Sequence, residues 1–257
     1  MTGERVRLYV IPGSSPSVCA QLMIEHKGIE YQRTDLIPVI SRGVLKAMRF
    51  PEVTAPAMTV DGRRVQTLRP IAEELDRIHP HPPLLPSDPA LRLVVEEADQ
   101  FGFDALQTPL GRILWNALHR DHSSLRSYSQ GARLGLPISI ALLMAGPVAA
   151  AQARLWKAGD ATVRNDLAAL PEVLNQIDAW CEAGVLNGEQ LNLADFRFAP
   201  SLRLAMTADD LRPLIAGRPA GDLAMRVVPN YPGRMPPILP PAWLEPLRGE
   251  AKPAPAI

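Results

Sequence analysis

RVRLYVIPGSSPSVCAQLMIEHKGI, residues 5–29, sets how the rest of the chain is read. Its first residues alternate charged with apolar side chains and then turn wholly apolar, the pattern of a strand entering a buried sheet. Pro12-Gly13 breaks that run. Ser14-Ser15-Pro16 then offers a capping hydroxyl and a proline for the first turn of a helix. The helix is expected to run to His26-Lys27, with basic residues in its last turn, and to close at Gly28.

Outward from this unit, Ile29 to Leu36 reads as a second strand and Ser41 to Met48 as a short helix before Phe50-Pro51. Ala57 to Val60 and Arg63 to Gln66 flank Asp61-Gly62, a hairpin signal. A helix from Thr67 follows, with Leu68, Ile71, Leu75 and Ile78 on one apolar stripe. The order strand, helix, strand, helix, hairpin, helix is the thioredoxin-like pattern, a four-stranded mixed sheet with helices on both faces. Beyond it the pattern changes. Leu91 to Trp115 is amphipathic, and Leu170, Leu174, Ile177 and Cys181 recur at helical spacing, with Pro171 expected to start or kink a helix. The fold class predicted is therefore an α/β thioredoxin-like N-terminal domain plus an all-α C-terminal domain.

Proline marks the boundaries. The chain has 27 prolines in 257 residues, clustered at 79–89 and 229–255, where extended segments are expected. The predicted organisation is a thiol-peptide-binding domain over 1–80, a linker over 81–88, a helical substrate domain over 89–228 and a proline-rich tail over 229–257. A chain this long that is 47% hydrophobic can bury a sizeable core. Its 27 basic and 27 acidic residues cancel, so no global field draws it to nucleic acid. The two cysteines, Cys19 and Cys181, have no CxxC or metal-type spacing, which suits a reducing cytosol. The N-terminal apolar run is too short for a signal-peptide core, and the location expected is cytoplasmic.

Three stretches carry a family resemblance. LYVIPGSSPSVCAQLMIEHKGI (8–29) is similar to the first strand and helix of zeta-class and other serine-type cytosolic glutathione transferases, whose active-site serine falls here on Ser14. APAMTVDGRRVQTLRPIAEELD (55–76) resembles the part of that family that holds a cis-proline, a hairpin and a glutamate- or glutamine-serine pair. Those positions fall on Pro56 and on Gln66-Thr67. LNLADFRFAPSL (191–202) is similar to the buried capping box of the second domain, with Asn192 and Asp195 at its two positions.

The resemblance implies an enzyme that activates the thiol of glutathione, or of a related low-molecular-weight thiol, for addition to a small electrophile. An isomerase- or dehalogenase-type reaction is also compatible with it. An ordinary thiol with a pKa of roughly 8.5 is only a few per cent thiolate near neutral pH. A helix N-terminus with a donating serine hydroxyl stabilises the anion. By the resemblance Ser14 fills that role, with Ser15 taking it if the turn is shifted by one. Ala55, ahead of a cis Pro56, would pair with the cysteinyl backbone of the ligand. Thr67 would receive the γ-glutamyl carboxylate, with Gln66 near the amino group. The glycyl carboxylate needs a cation, for which Arg42, Lys46 and Arg49 all stand open and Arg42 is the first choice. Glutathione enters as co-substrate and not as a resident cofactor, and a homodimer is expected.

The electrophile pocket should be walled by the first helix after the linker, with Phe101, Phe103, Leu106, Ile113 and Trp115 as candidates. Leu134 to Ala153 contains no charged residue; a core helix or a dimer face is the preferred reading over a membrane span. His26, His79, His81, His119 and His122 suggest helix ends and surface positions, not a metal site. The competing function is a non-catalytic or membrane-associated protein of the same fold that uses the apolar segment and the tail for partners.

Overall fold

A computed structural model describes residues 5–134 and 138–248. The N-terminal half runs β1 (Val6–Val10), α1 (Ser15–His26), β2 (Tyr31–Asp35), α2 (Pro38–Ala47), β3 (Ala57–Val60), β4 (Arg63–Gln66) and α3 (Leu68–Ile78). The strands form one sheet in the order β2-β1-β3-β4. β1 lies parallel to β2, with Val6 opposite Tyr31, and antiparallel to β3, with Val6 opposite Val60. Asp61 and Gly62 join β3 to β4 with φ of 47° and 88°, the paired left-handed conformation of a tight hairpin turn.

The alternation along β1 divides two cores. Val6, Leu8 and Val10 face α1 and α3, while Tyr9 joins Ala57, Leu36, Leu45 and Phe50 under α2. α2 begins at Pro38, ahead of the expected Ser41, because a proline at the first helical position already has helical φ. Ser41 lies inside the first turn and donates its hydroxyl to the Pro38 carbonyl at 2.7 Å.

The proline linker is held by a buried lysine. Lys27 pairs with Asp76 at 2.7 Å and donates to the carbonyls of His79 (2.6 Å) and Pro82 (2.7 Å). Asp76 in turn accepts the N–H groups of Leu84 and Leu85. A desolvated ammonium of this kind is tolerated because every direction around it meets an acceptor.

The second half runs α4 (Pro89–Phe101), α5 (Thr108–Arg120), α6 (Leu125–Tyr128), α7 (Ile138–Leu143), α8 (Ala145–Leu155), α9 (Asp160–Glu182), α10 (Leu193–Met206), α11 (Arg212–Ile215), α12 (Pro219–Val227) and α13 (Pro241–Arg248). Residues 102–107 join α4 to α5 as a π-helical turn. Pro171 lies inside α9 and starts no helix. α10 is central: Phe196 and Phe198 are fully buried, and the helix packs on α1, α4 and α12. Its capping box is formed, with Asn192 accepting from Ala194 N and Asp195 accepting from Asn192 N at 2.9 Å. Burial pushes the Asp195 carboxyl up to about 6, against the pull of two backbone N–H donors, Asn187 and Asn192.

Two expectations change. The apolar stretch is split at Met144 into α7 and α8, with Leu143 79% and Met144 56% exposed, while Ala145, Ala149 and Ala153 turn inward at helical spacing. Pro137 lies outside the described residues. Among the described residues no helix is long and apolar enough to cross a membrane. The segment after Val228 does not stay extended: it crosses the helical half, bridging Met235 to Ala208, and then forms α13 with Leu244 and Leu247 buried. Residues 249–257 of the expected tail lie outside the described residues.

Candidate active site

Two adjoining cavities open where the sheet domain meets the helices. The larger, about 830 Å³, is walled on the sheet side by Ser14, Arg42, Ala55, Pro56, Thr67 and Arg69, and on the helical side by Asp99, Phe103, Gln107, Lys157 and Arg197. The smaller, about 210 Å³, lies among Gly111, Leu114, Trp115, Leu118, Tyr128, Trp156 and Leu204. Ile11, Ser14, Pro16, Pro38, Gln107, Gln152 and Trp156 border both cavities and define the neck between them.

Ser14 is the N-cap of α1, yet its hydroxyl makes no cap hydrogen bond. Its backbone N–H is spent on the Ile11 carbonyl (3.1 Å), and Pro16 within the first turn has no N–H to offer. Among the described residues this hydroxyl makes no hydrogen bond, and Ser14 borders both cavities at the positive end of α1. Ser15 is buried and borders only the smaller cavity. The residue that fixes this turn is one the sequence did not single out: Ser17, buried, accepts the Ile11 N–H at 3.0 Å and locks the loop to α1.

The Ala55–Pro56 bond is cis, and both residues line the larger cavity. Thr67 lines it too, with φ of 66° and a hydroxyl free of any capping bond. Gln66 is placed differently from the expectation. Its buried amide accepts from Glu52 N at 2.7 Å and donates to the Thr54 carbonyl, so it holds the loop that carries Ala55 and does not border the cavity. Of the three candidate cations, Arg42 borders the cavity and Lys46 and Arg49 do not.

The aromatic candidates also divide. Phe103 (44% exposed) borders the larger cavity and Trp115 the smaller one. Phe101 turns away to stack edge-on against Trp180 at 5.1 Å, and Leu106 and Ile113 are core residues. Phe101 ends α4 and Phe103 lies two residues on, in the π-helical turn, so the two point to different sides of the helix.

A buried ion network forms the helical wall and was not anticipated. Arg197 on α10 donates to Asp99 at 2.6 Å and to Gln107 Oε1 at 3.1 Å, and its guanidinium lies over the Phe103 ring at 5.5 Å. Arg69 reaches Asp99 from the sheet side at 3.4 Å and donates to the Glu96 carbonyl at 2.8 Å. The one clue in the sequence is a lone arginine in the otherwise apolar run FRFAP. Among the described residues the larger cavity therefore meets four cations, Arg42, Arg69, Lys157 and Arg197, and one acid, Asp99. By contrast, no Asp, Glu, Lys, Arg or His among the described residues lines the smaller one. Tyr128, at its far wall, shares a 2.7 Å hydrogen bond with Thr207, and burial pushes its phenol up to about 12, so it stays neutral.

Both cysteine thiols are pushed up to about 12, chiefly by burial. Neither is a thiolate near neutral pH, so any sulfur nucleophile at the neck has to come from a ligand. No group of three or more His, Cys, Asp or Glu among the described residues is arranged to hold a metal ion.

No family model matches the chain, and no curated protein matches its sequence. Solved structures do match its fold. Glutathione transferase GSTFuA3 from Phanerochaete chrysosporium superposes with a TM-score of 0.63 at 16% identity, over 88% of this chain and 97% of its own. A glutathione S-transferase from Rhodospirillum rubrum gives 0.57 at 18%, over 86% and 87%. Rice GST1, solved in complex with glutathione, gives 0.55 at 14%, over 96% and 87%. A thioredoxin-like domain followed by a helical domain, matched over nearly the whole chain, is the glutathione transferase fold.

Proposed function

We propose that the chain is an enzyme of the glutathione transferase type that binds glutathione, or a related anionic thiol, in the larger cavity and adds its sulfur to a small electrophile held in the smaller one. The observation that carries this reading is the position of Ser14. Its hydroxyl, without a hydrogen bond among the described residues, stands at the N-terminus of α1 in the neck that joins a cationic cavity to one with no charged lining among those residues.

The division of charge suits the two substrates. Glutathione brings two carboxylates and one ammonium. Arg42 is assigned to the glycyl carboxylate, Thr67 and Arg69 to the γ-glutamyl carboxylate, and Asp99 is the acid available to the ammonium. The backbone of Ala55 beside Pro56 would pair with the cysteinyl peptide, which directs its sulfur to the neck. There the Ser14 hydroxyl and the end of α1 lower the thiol pKa, the thiol proton passes to water, and the thiolate attacks the carbon presented from the apolar side. A serine-type, zeta-like subclass, a homodimer and a cytoplasmic setting belong to this reading.

The test is turnover of a small electrophile with glutathione by wild type, Ser14→Ala and Ser15→Ala. Loss of one preorganised donor should lower kcat/KM by roughly tenfold to a thousandfold for Ser14→Ala and leave Ser15→Ala near wild type. The reverse order shifts the active serine by one. Full activity in both variants removes this site, and glutathione binding without turnover in wild type makes the protein a binder of the same fold.

A further inference from the structure

We infer that one side of the protein, built from α2, α7 and α8, docks on an anionic lipid bilayer, lying on the membrane surface without crossing it, with Leu143 and Met144 entering the headgroup layer. Docking of this kind is independent of the reaction proposed above.

Charge is divided unevenly over the chain. In total 27 basic and 27 acidic residues balance, but residues 36–51 and 122–159 hold Arg42, Lys46, Arg49, Arg126, Arg133, Arg154 and Lys157 and not one Asp or Glu. All of these cations are exposed. The fold joins the two segments: α8 packs on α2, and Asp35, just ahead of α2, accepts the Arg133 N–H at 2.7 Å. Arg42, Leu155 and Lys157 border the same cavity. Of the acids that flank the segments, Asp35 is engaged by Arg33, Asp121 by the Ser123 N–H and Asp160 by Arg120, while Glu52 lies beyond the C-terminal end of α2. A chain without net charge therefore carries an electropositive side.

Apolar side chains stand on the same elements. Ile40, Leu143, Met144 and Leu155 are 54%, 79%, 56% and 50% exposed, half of the exposed large hydrophobic residues among the described ones. Along α8, Met144, Pro147, Ala151 and Leu155 recur at helical spacing on the exposed side, away from the inward Ala145, Ala149 and Ala153. A surface helix ordinarily turns charged and polar side chains outward, but this one shows no charge before Arg154 in its last turn.

The combination selects a bilayer. Exposed aliphatic side chains among Lys and Arg, with no acid between them, match the interface of an anionic membrane: the acyl boundary takes the apolar groups and the headgroup phosphates take the cations. A second copy of the chain fits poorly, because a two-fold contact sets the same cations against one another. Nucleic acid would meet the charge and leave Leu143 and Met144 without a partner, since neither offers a ring on which a base can stack.

The experiment is co-flotation of the full chain with vesicles of phosphatidylcholine alone and with vesicles containing about one-third phosphatidylglycerol. Wild type should partition at least ~tenfold better onto the anionic vesicles and be released as salt rises. Leu143→Ser/Met144→Ser should lose ~tenfold or more of that binding. Lys46→Glu/Arg154→Glu should lose ~25-fold or more, since each cation near the surface is worth about fivefold. Leu143→Phe/Met144→Phe should bind at least as well as wild type. None of these four residues lines either cavity, so Tm and KM for glutathione should stay at their wild-type values in every variant. Equal partition onto both vesicles, or none onto either, overturns the inference. Loss in the charge-reversal pair alone makes the face a general polyanion surface, nucleic acid included, and overturns it; so does a phenylalanine pair that binds as weakly as the serine pair. A concentration-dependent dimer in sedimentation that the serine pair abolishes makes the face a contact between copies and overturns it too.

Discussion

Gly111→Ala tests where the electrophile sits. A Cβ built on Gly111 would lie 2.6 Å from Trp156 Cζ3 and 3.0 Å from Cε3 and Cη2, so the indole rests directly on the backbone of α5. Ordinary carbon contacts are about 3.5–4.0 Å, which means the ring has to move by ~1 Å. Trp156 borders both cavities, so a shift off α5 intrudes on the space above it. In an apolar pocket one methylene is worth ~1–3 kcal/mol, or ~10–200-fold in kcat/KM. Helix propensity favours alanine by about 1 kcal/mol and overpacking costs about 1–3, so the net loss of stability is ~0–2 kcal/mol. In a chain of this size that lowers Tm by no more than ~8 °C. The assay is kcat/KM across a series of electrophiles of increasing ring substitution, with KM for glutathione and Tm in parallel. Loss that grows with electrophile size at constant glutathione KM is expected. A uniform loss across the series, or none, refutes the assignment of the smaller cavity.

Two further changes address charge. Arg42→Gln should raise KM for glutathione by roughly tenfold with kcat little changed; this is the low end for a charged hydrogen bond, because Arg42 is exposed, and a glutathione amidated at its glycyl end should not distinguish the two proteins. Asp195 gives a pH dependence of stability: burial raises its folded pKa to about 6, so the folded state holds a proton that the unfolded chain releases near 4. That stabilisation is complete below pH ~4 and is lost as pH rises to about 6, an effect of ~3 kcal/mol. Denaturant unfolding of wild type and Asp195→Asn should therefore show a stability difference that shrinks by about that amount between pH 4 and pH 7, and a constant difference counts against it.

What the sequence disclosed and what it hid separate by range. The Asp61-Gly62 hairpin, the serine turn before α1 and the Asn192–Asp195 capping box are local, each complete within a few residues, and all three are formed. Pro38 carried a helix start that the reading placed later, at Ser41. The site residues that escaped are tied to distant partners. Gln66 was assigned to the ligand by its position in a motif, but its amide is consumed by Glu52 and Thr54 across the sheet edge. Arg197 meets Asp99 only because α10 crosses α4, at a point where Gly102 leaves room: a Cβ there would stand 2.7 Å from Arg197 Cγ. Gln152 was hidden inside a stretch whose lack of charge suggested a core or dimer face, and only the break at Met144 brings α8 to the neck. Phe101, named with Phe103 for the pocket, packs instead on Trp180, a contact with α9 far along the chain that no local pattern shows.

The central claim is that the end of α1 and Ser14 hold a ligand thiolate, and it is tested most directly by titrating the thiol of bound glutathione, following thiolate absorbance in the ultraviolet for wild type and Ser14→Ala. A thiol free in solution has a pKa of roughly 8.5. The account predicts that the bound thiol titrates ~2 pH units lower in wild type and returns toward the free value in Ser14→Ala, with glutathione still bound in both. A bound thiol that titrates at the free value in wild type, or an unchanged low value in Ser14→Ala, contradicts it.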